Sequence, residues 1–281
     1  MITIIFGAPG AGKSSLNTYF LKQTYRTQGR ALLHYARARI EAQNATRAIP
    51  LIVPDKPPIF ANYAVKFKTG YEKSFEPYFI NGYYLGLPND RMPTQYIPPG
   101  SKIFLSEAQR YYNSRKSQTL PDWVSRFYEM HRHYGIDVYL DVQRANLIDL
   151  NIKEICKRFI EVQGMKHETD YAGRILRSTF ICREFESWRN VEQYLESGAE
   201  TYRNTTYINE GNIFRCFNSY SYFEEYLPDE SKAFNYLPFV SRAEQKNISP
   251  DNEAFYIMSE PTEYRTQAKA QKTKPEKEQK Q

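Results

Sequence analysis

The stretch GAPGAGKSS, residues 7–15, lies between the apolar run MITIIF and the segment LNTYFLKQTY. Glycine adopts backbone conformations that a Cβ forbids, so a loop built on Gly7, Gly10 and Gly12 can turn successive amides toward one point. The run Ile2–Phe6 is short, continuously apolar and rich in β-branched residues, which reads as a strand buried on both faces of a parallel sheet. After the loop, Leu16, Tyr19 and Phe20 recur at helical spacing. Strand, glycine loop and helix in that order form a phosphate cradle: inward amides, the positive helix N-terminus, a lysine and a hydroxyl. Gly7, Gly12, Lys13 and Ser14 match GxxxxGKS. The candidate nucleotide-binding residues are therefore Gly7, Ala8, Pro9, Gly10, Ala11, Gly12, Lys13, Ser14 and Ser15. Lys13 reaches the β- and γ-phosphates, and the Ser14 hydroxyl is a magnesium ligand, so ATP and Mg²⁺ are the expected cofactors.

Such a loop alone leaves the reaction open, because small-molecule and nucleotide kinases carry it too. The second half of the site comes from PPGSKIFLSEAQRYY. A Pro-Pro-Gly turn leads into a strand over Lys102–Leu105, and Ser106 and Glu107 arrive at its carboxyl end. A helix is predicted over 122–134, ended by Gly135, and IDVYLDVQR follows as another apolar strand closing on Gln143. The first helix is predicted to break at Gly29, with a second helix through ALLHYARARIEAQNA. Residues 49–99, rich in proline and tyrosine, read as short strands such as IFANYAVKF joined by long loops. Parallel strands with helical crossovers make an open α/β fold whose ligands sit at the strands' carboxyl ends. In that fold Glu107 is expected on a parallel neighbour of the first strand, facing the phosphate loop.

Composition narrows the setting. The chain has 281 residues, 41% hydrophobic and 25% charged, enough for one large domain or a core with an appendage. A net charge of +6 permits a polyanionic partner such as DNA or an inner membrane leaflet. Cys156, Cys182 and Cys216 have no zinc-like spacing and read as buried thiols of a reducing compartment. No apolar stretch approaches the ~20 residues of a membrane helix, and the N-terminal run carries no basic leader, so a cytoplasmic protein is expected. His131 and His133 read as a packed helix end rather than a metal pair. Arg110 and Arg115 among Tyr111 and Tyr112 could track single-stranded DNA, but the tyrosines read better as packed on the sheet. Beyond residue 162, RSTFICREF and GNIFRCFNSY alternate as antiparallel strands do. From residue 263 the chain has almost no apolar residues and reads as a disordered charged tail. The expected organisation is a core over 1–165, a partly antiparallel extension over 166–262 and a tail over 263–281.

The ordered set GAPGAGKS, KIFLSEAQR, HRHYGIDVYLDVQR and NLIDLNIKEICKRFIEV resembles the Zot (zonular occludens toxin-like) family, which includes filamentous phage assembly proteins, over roughly residues 1–165. The resemblance implies an additional-strand P-loop NTPase, an α/β fold related to FtsK- and HerA-type translocases, with a central parallel sheet flanked by helices. It implies that Glu107 is the catalytic carboxylate, Gln143 the γ-phosphate sensor, and Arg115 an arginine finger acting across a subunit boundary. It further implies a homo-oligomeric ring, a hexamer among the expected sizes, working on phage DNA or coat proteins at the inner face of the host cytoplasmic membrane. Members often carry a membrane helix; this sequence shows none, so a separate membrane protein is expected to receive the motor. The family has DEAQ where this chain has Ser106-Glu107-Ala-Gln, so Mg²⁺ is expected to depend on Ser14, Ser106 and Glu107. That departure keeps open a nucleotide-gated scaffold with little hydrolysis. A DNA-packaging or conjugation translocase is a further alternative that differs only in cargo.

Overall fold

The protein is described by a computed structural model over residues 1–46, 53–69, 73–80, 82, 85, 97–115 and 122–218. The apolar run at the start forms β1 (Ile2–Phe6), every residue of it buried. The phosphate-type loop then feeds α1 (Lys13–Asn44), one helix of 32 residues, about 48 Å long at 1.5 Å per residue. The break predicted at Gly29 does not occur. Gly29 is buried within α1, where an added Cβ would sit 3.4 Å from Pro57. A Cβ there would make ordinary contact with its neighbours, so glycine is carried through the helix at a propensity cost of about 1 kcal/mol against alanine.

Short strands follow: β2 (Ile59–Ala61), β3 (Ala64–Val65), β4 (Phe67–Lys68), β5 (Ser74–Phe75) and β6 (Tyr78–Phe79). IFANYAVKF is thus divided among three strands rather than forming one. Next come β7 (Lys102–Leu105), α2 (Asp122–Met130), β8 (Asp137–Val142) and α3 (Leu150–Ile155). The helix predicted to reach residue 134 stops at Met130. A tight turn replaces its last residues, with the His133 amide donating to the Met130 carbonyl and Gly135 at φ +65°. The chain continues as β9 (Arg158–Thr169), β10 (Ile175–Phe185), α4 (Trp188–Ser197), β11 (Arg203–Glu210) and β12 (Phe217–Asn218). RSTFICREF is strand as expected. GNIFRCFNSY is mostly not: Asn212 caps a 3₁₀ turn over Ile213–Cys216, and Phe217–Asn218 pairs with β3. The predicted tail lies outside the described residues.

One eight-stranded sheet organises these elements in the order β11-β10-β9-β1-β8-β7-β2-β6. From β9 to β6 the strands run parallel, while β9, β10 and β11 pair antiparallel and extend the same sheet. The strand carrying Glu107 is therefore not adjacent to β1, because β8 is inserted between them. The sheet has two covered faces. Ile5, Phe104 and Ile160 pack against Leu16 and Leu21 of α1. Ile4, Phe6, Leu105 and Leu140 join Phe127 of α2 and Ile152 of α3 on the other side. Phe104 and Tyr139 stack across β7 and β8 at 4.6 Å with rings 9° apart. Each fully buried apolar side chain of these clusters, Phe104 among them, contributes roughly 1.5–3 kcal/mol. The cysteines are buried free thiols. Among the described residues no helix is long and apolar enough to cross a membrane.

At the amino ends of β7 and β8, Lys102 Nζ donates to Asp137 Oδ2 at 2.6 Å. Burial favours the neutral form of Asp137, but hydrogen bonds from Lys102 and the N-terminal ammonium outweigh it and hold its carboxyl below the ordinary range. A depressed folded-state value means stability that is present above the unfolded value and lost as pH falls through the folded one. Asp137→Asn is expected to lower stability by about 1–2 kcal/mol at pH 7. The difference should close as pH drops below the usual carboxylate value of about 3.9. Urea midpoints of both proteins across that range measure it.

Candidate active site

Parallel strands in register bring their carboxyl ends to one edge of the sheet. Phe6 lies beside Val142, Leu105 beside Leu140, and Ala61 beside Phe104. The residues that follow therefore converge: Gly7 after β1, Asn62 after β2, Ser106 and Glu107 after β7, and Gln143 after β8.

The loop over residues 7–12 has the backbone its glycines allow. Gly7, Gly10 and Gly12 have φ of +152°, +78° and +102°. Gly7 also meets a packing limit, since an added Cβ would lie 2.4 Å from the Val162 carbonyl oxygen on β9. Ala8, Pro9 and Gly10 are exposed, Ala11 and Gly12 half-buried, and Ser15 is buried at the start of α1. Lys13 is buried and curls over the loop, its Nζ donating to the Ala8 carbonyl at 3.0 Å. The first amides of α1 have no partner within the helix and project from its N-terminus, where the loop ends. Such a loop fits an anion of phosphate type.

Below the loop lies a buried polar cluster. Ser14 Oγ is 3.2 Å from Ser106 Oγ, and the Ser106 hydroxyl donates to Asp141 Oδ1 at 3.2 Å. The Glu107 amide donates to the same Oδ1 at 3.0 Å. Asn17 Nδ2 reaches Asp141 Oδ2 at 3.4 Å and the Leu105 carbonyl at 3.3 Å. Asn62 grips the Ser106 backbone from β2, accepting from its amide at 2.7 Å and donating to its carbonyl at 2.9 Å. Burial pushes the Asp141 carboxyl up to about 6, against the hydrogen bonds from the Glu107 amide and the Ser106 hydroxyl that favour its charged form.

Glu107 has φ +53° and ψ +43°, the positive φ found on a non-glycine residue among those described. Left-handed backbone costs a residue with a Cβ roughly 1–2 kcal/mol, and such strain gathers at functional sites. The twist leaves the Glu107 amide on Asp141 and sends its carboxylate elsewhere. Oε2 accepts from Gln109 Nε2 and lies 3.4 Å from Gln143 Nε2. The expected pair of carboxylate and sensor is thus brought together.

Of the residues expected to hold a cation, Ser14 and Ser106 meet. The Glu107 carboxylate is hydrogen-bonded to neither serine, and the carboxylate beside them is Asp141, which sequence reading passed over. Its signal was a second aspartate inside IDVYLDVQ, set between the apolar Leu140 and Val142. Asn17 and Asn62 were passed over too, and nothing in their local sequence marks them. The set of hydroxyl and carboxylate oxygens fits a hard cation such as Mg²⁺. Among the described residues no three His, Cys, Asp or Glu side chains gather as a metal cluster.

The remaining expectations fall away from this centre. Arg115 is exposed, with its backbone amide bonded to Asn113 and its guanidinium on none of the cluster residues. Tyr112 is buried and its hydroxyl donates to the Gly82 carbonyl at 2.6 Å; Tyr111 packs against the same core and meets Asn62. These rings are occupied by the fold. His131 is buried at the end of α2, with Nδ1 against the Tyr128 carbonyl, and burial lowers its pKa.

Comparison with known proteins adds to this geometry. The family model described as Zonular occludens toxin (Zot) matches residues 88–170, which hold β7, α2, β8, α3 and β9. The match begins beyond the phosphate-type loop, whose reading stands on its own geometry. No curated protein sequence matches the chain. Among solved structures, the N-terminal domain of zonular occludens toxin from Neisseria meningitidis is similar at 15% identity and a TM-score of 0.44, over 77% of this chain and 98% of that one. The genome packaging NTPase B204 from Sulfolobus turreted icosahedral virus 2, in complex with ATP-gammaS, is similar at 10% identity and a TM-score of 0.36, over 75% and 97%. The resemblance to Zot seen in the sequence is thus met by the family model over β7 to β9.

Two glycines make a direct test of the loop. Gly7→Ala forces a backbone collision with Val162, whereas Gly10→Ala meets nothing within 4 Å and bears only the strain of its φ. Gly7→Ala is expected to lower the melting temperature and weaken binding of an ATP analogue at least tenfold. Gly10→Ala should cost about 1–2 kcal/mol and weaken binding less. Melting curves and fluorescence titration of the two variants make the comparison.

Proposed function

We propose that this chain is an ATP-hydrolysing P-loop motor of the Zot type, acting in assembly and export of filamentous phage or prophage virions. The observation that carries the reading is the meeting of the loop, the Ser14–Ser106 pair and the Glu107–Gln143 pair at one sheet edge. The Zot match over β7 to β9 supports the phage context.

In this mechanism the loop amides and Lys13 grip the triphosphate. Glu107 takes a proton from the attacking water, and Gln143, within reach of Glu107 and the loop edge, responds to the γ-phosphate. Magnesium, when bound beside Ser14, neutralises charge on the phosphate oxygens. Arg115 is assigned as the finger that completes the site of a neighbouring copy in a homo-oligomeric ring, which its exposure allows. Phage DNA or coat protein is the cargo, and a separate membrane protein anchors the ring at the inner face of the cytoplasmic membrane. Residues 1–165 are assigned to the motor core and 166–262 to the extension that completes it, of which 219–262 lie outside the described residues.

The Ser106 position supports one other reading, a scaffold that binds nucleotide and hardly turns it over. Steady-state hydrolysis separates the two. Wild type is expected to hydrolyse ATP with Mg²⁺, Lys13→Ala to lose nucleotide binding, and Glu107→Gln to bind normally with turnover reduced about 10²–10⁴-fold. Equal background rates for wild type and Glu107→Gln would establish the scaffold.

A further inference from the structure

Three central strands place Ile5, Asp141 and Ser106 side by side. The registers Ile5 with Asp141 and Leu105 with Leu140 set this arrangement, one residue short of the β8 tip. Asp141 thus stands one strand spacing, about 4.8 Å, from the position where a carboxylate is missing. Its side chain is fully buried, and among the described residues no lysine, arginine or histidine forms an ion pair with it.

A buried carboxylate with no cation is a costly structural part. Its hydrogen bonds explain it only in part. The oxygen that receives the Ser106 hydroxyl and the Glu107 amide is one an asparagine also offers. Asparagine would lose the second acceptor, which Asn17 Nδ2 approaches at 3.4 Å, and it would lose the charge.

The charge has a defined route to the loop. An ionised carboxylate only accepts, so the Ser106 hydroxyl turns its proton toward Asp141. The Ser106 oxygen is then free to accept from Ser14, 3.2 Å away. With its proton so committed, the Ser14 oxygen keeps its lone pairs for the loop side, as a ligand to a hard cation must. The chain of Asp141, Ser106 and Ser14 therefore delivers both orientation and negative potential at the place where Mg²⁺ accompanies a bound triphosphate.

We infer that Asp141 is the carboxylate of the magnesium site, relocated one strand over from the β7 tip and acting through Ser106 as a positioning residue. This assignment rests on the nucleotide-binding reading above. It makes hydrolysis compatible with serine at position 106 and leaves Glu107 for the water.

The test is the affinity of a non-hydrolysable ATP analogue, measured with excess Mg²⁺ and again with chelator, so that the ratio isolates the cation's contribution. Wild type should bind more tightly with Mg²⁺. Asp141→Asn should lower that ratio at least tenfold while affinity in chelator stays within about twofold. Ser106→Ala, which cuts the relay and leaves Asp141 in place, should lower the ratio likewise. The double variant Ser106→Asp with Asp141→Asn returns the charge to the β7 tip and should restore the ratio. Mn²⁺ paramagnetic resonance with the analogue bound should follow the same order, and melting curves check folding. A wild-type ratio in Asp141→Asn, or in Ser106→Ala should the first variant not fold, overturns the assignment. So does a folded double variant that does not recover. Failure of wild type to bind the analogue under either condition overturns the nucleotide reading itself, a result distinct from the other two.

Discussion

In-register parallel pairing of β1, β8 and β7 is the constraint on which the site depends. Because the strands run the same way and end together, one sheet edge receives a glycine loop, a glutamate and a glutamine from three segments well separated in the sequence. Side chains on adjacent parallel strands at one level point to the same face, so Asp141 and Ser106 both look toward α1 and meet Ser14 there. No single loop could hold these groups as firmly. Their positions follow from backbone hydrogen bonds of the sheet, and Asn62 and Asn17 tie the remaining freedom.

How far this could be read from sequence depends on whether the information is local. The phosphate-type loop was legible because its requirements are: Gly7 has no room for a Cβ, and Lys13 and Ser14 follow at fixed spacing. β7 and β8 were legible as apolar runs, and Glu107 and Gln143 as the polar residues ending them. Asp141 was missed because a strand of mostly apolar residues reads as core, and no linear pattern says which residue lies beside Ser106. That needs the lateral order of strands, and β8 had first to be known to lie between β1 and β7. Gly29 misled for the opposite reason: local propensity predicts a break, but α1 continues through it as one helix with Gly29 buried.

The antiparallel extension shows a further division of labour. β10 and β11 prolong the sheet beyond β9, where paired charges such as Arg158 with Glu184 line part of the surface. That flank borders β9, whose Val162 carbonyl fixes the closest approach of the phosphate-type loop. Extension and site are therefore mechanically continuous through a single strand.

The left-handed backbone at Glu107 bears on how this position tolerates change. Glycine there would relieve the steric crowding, and asparagine suits that region better than glutamate does. Random drift at residue 107 thus runs downhill in folding energy. Where glutamate persists in descendants of this chain, the carboxylate itself is under selection, because the polypeptide would be more comfortable without it.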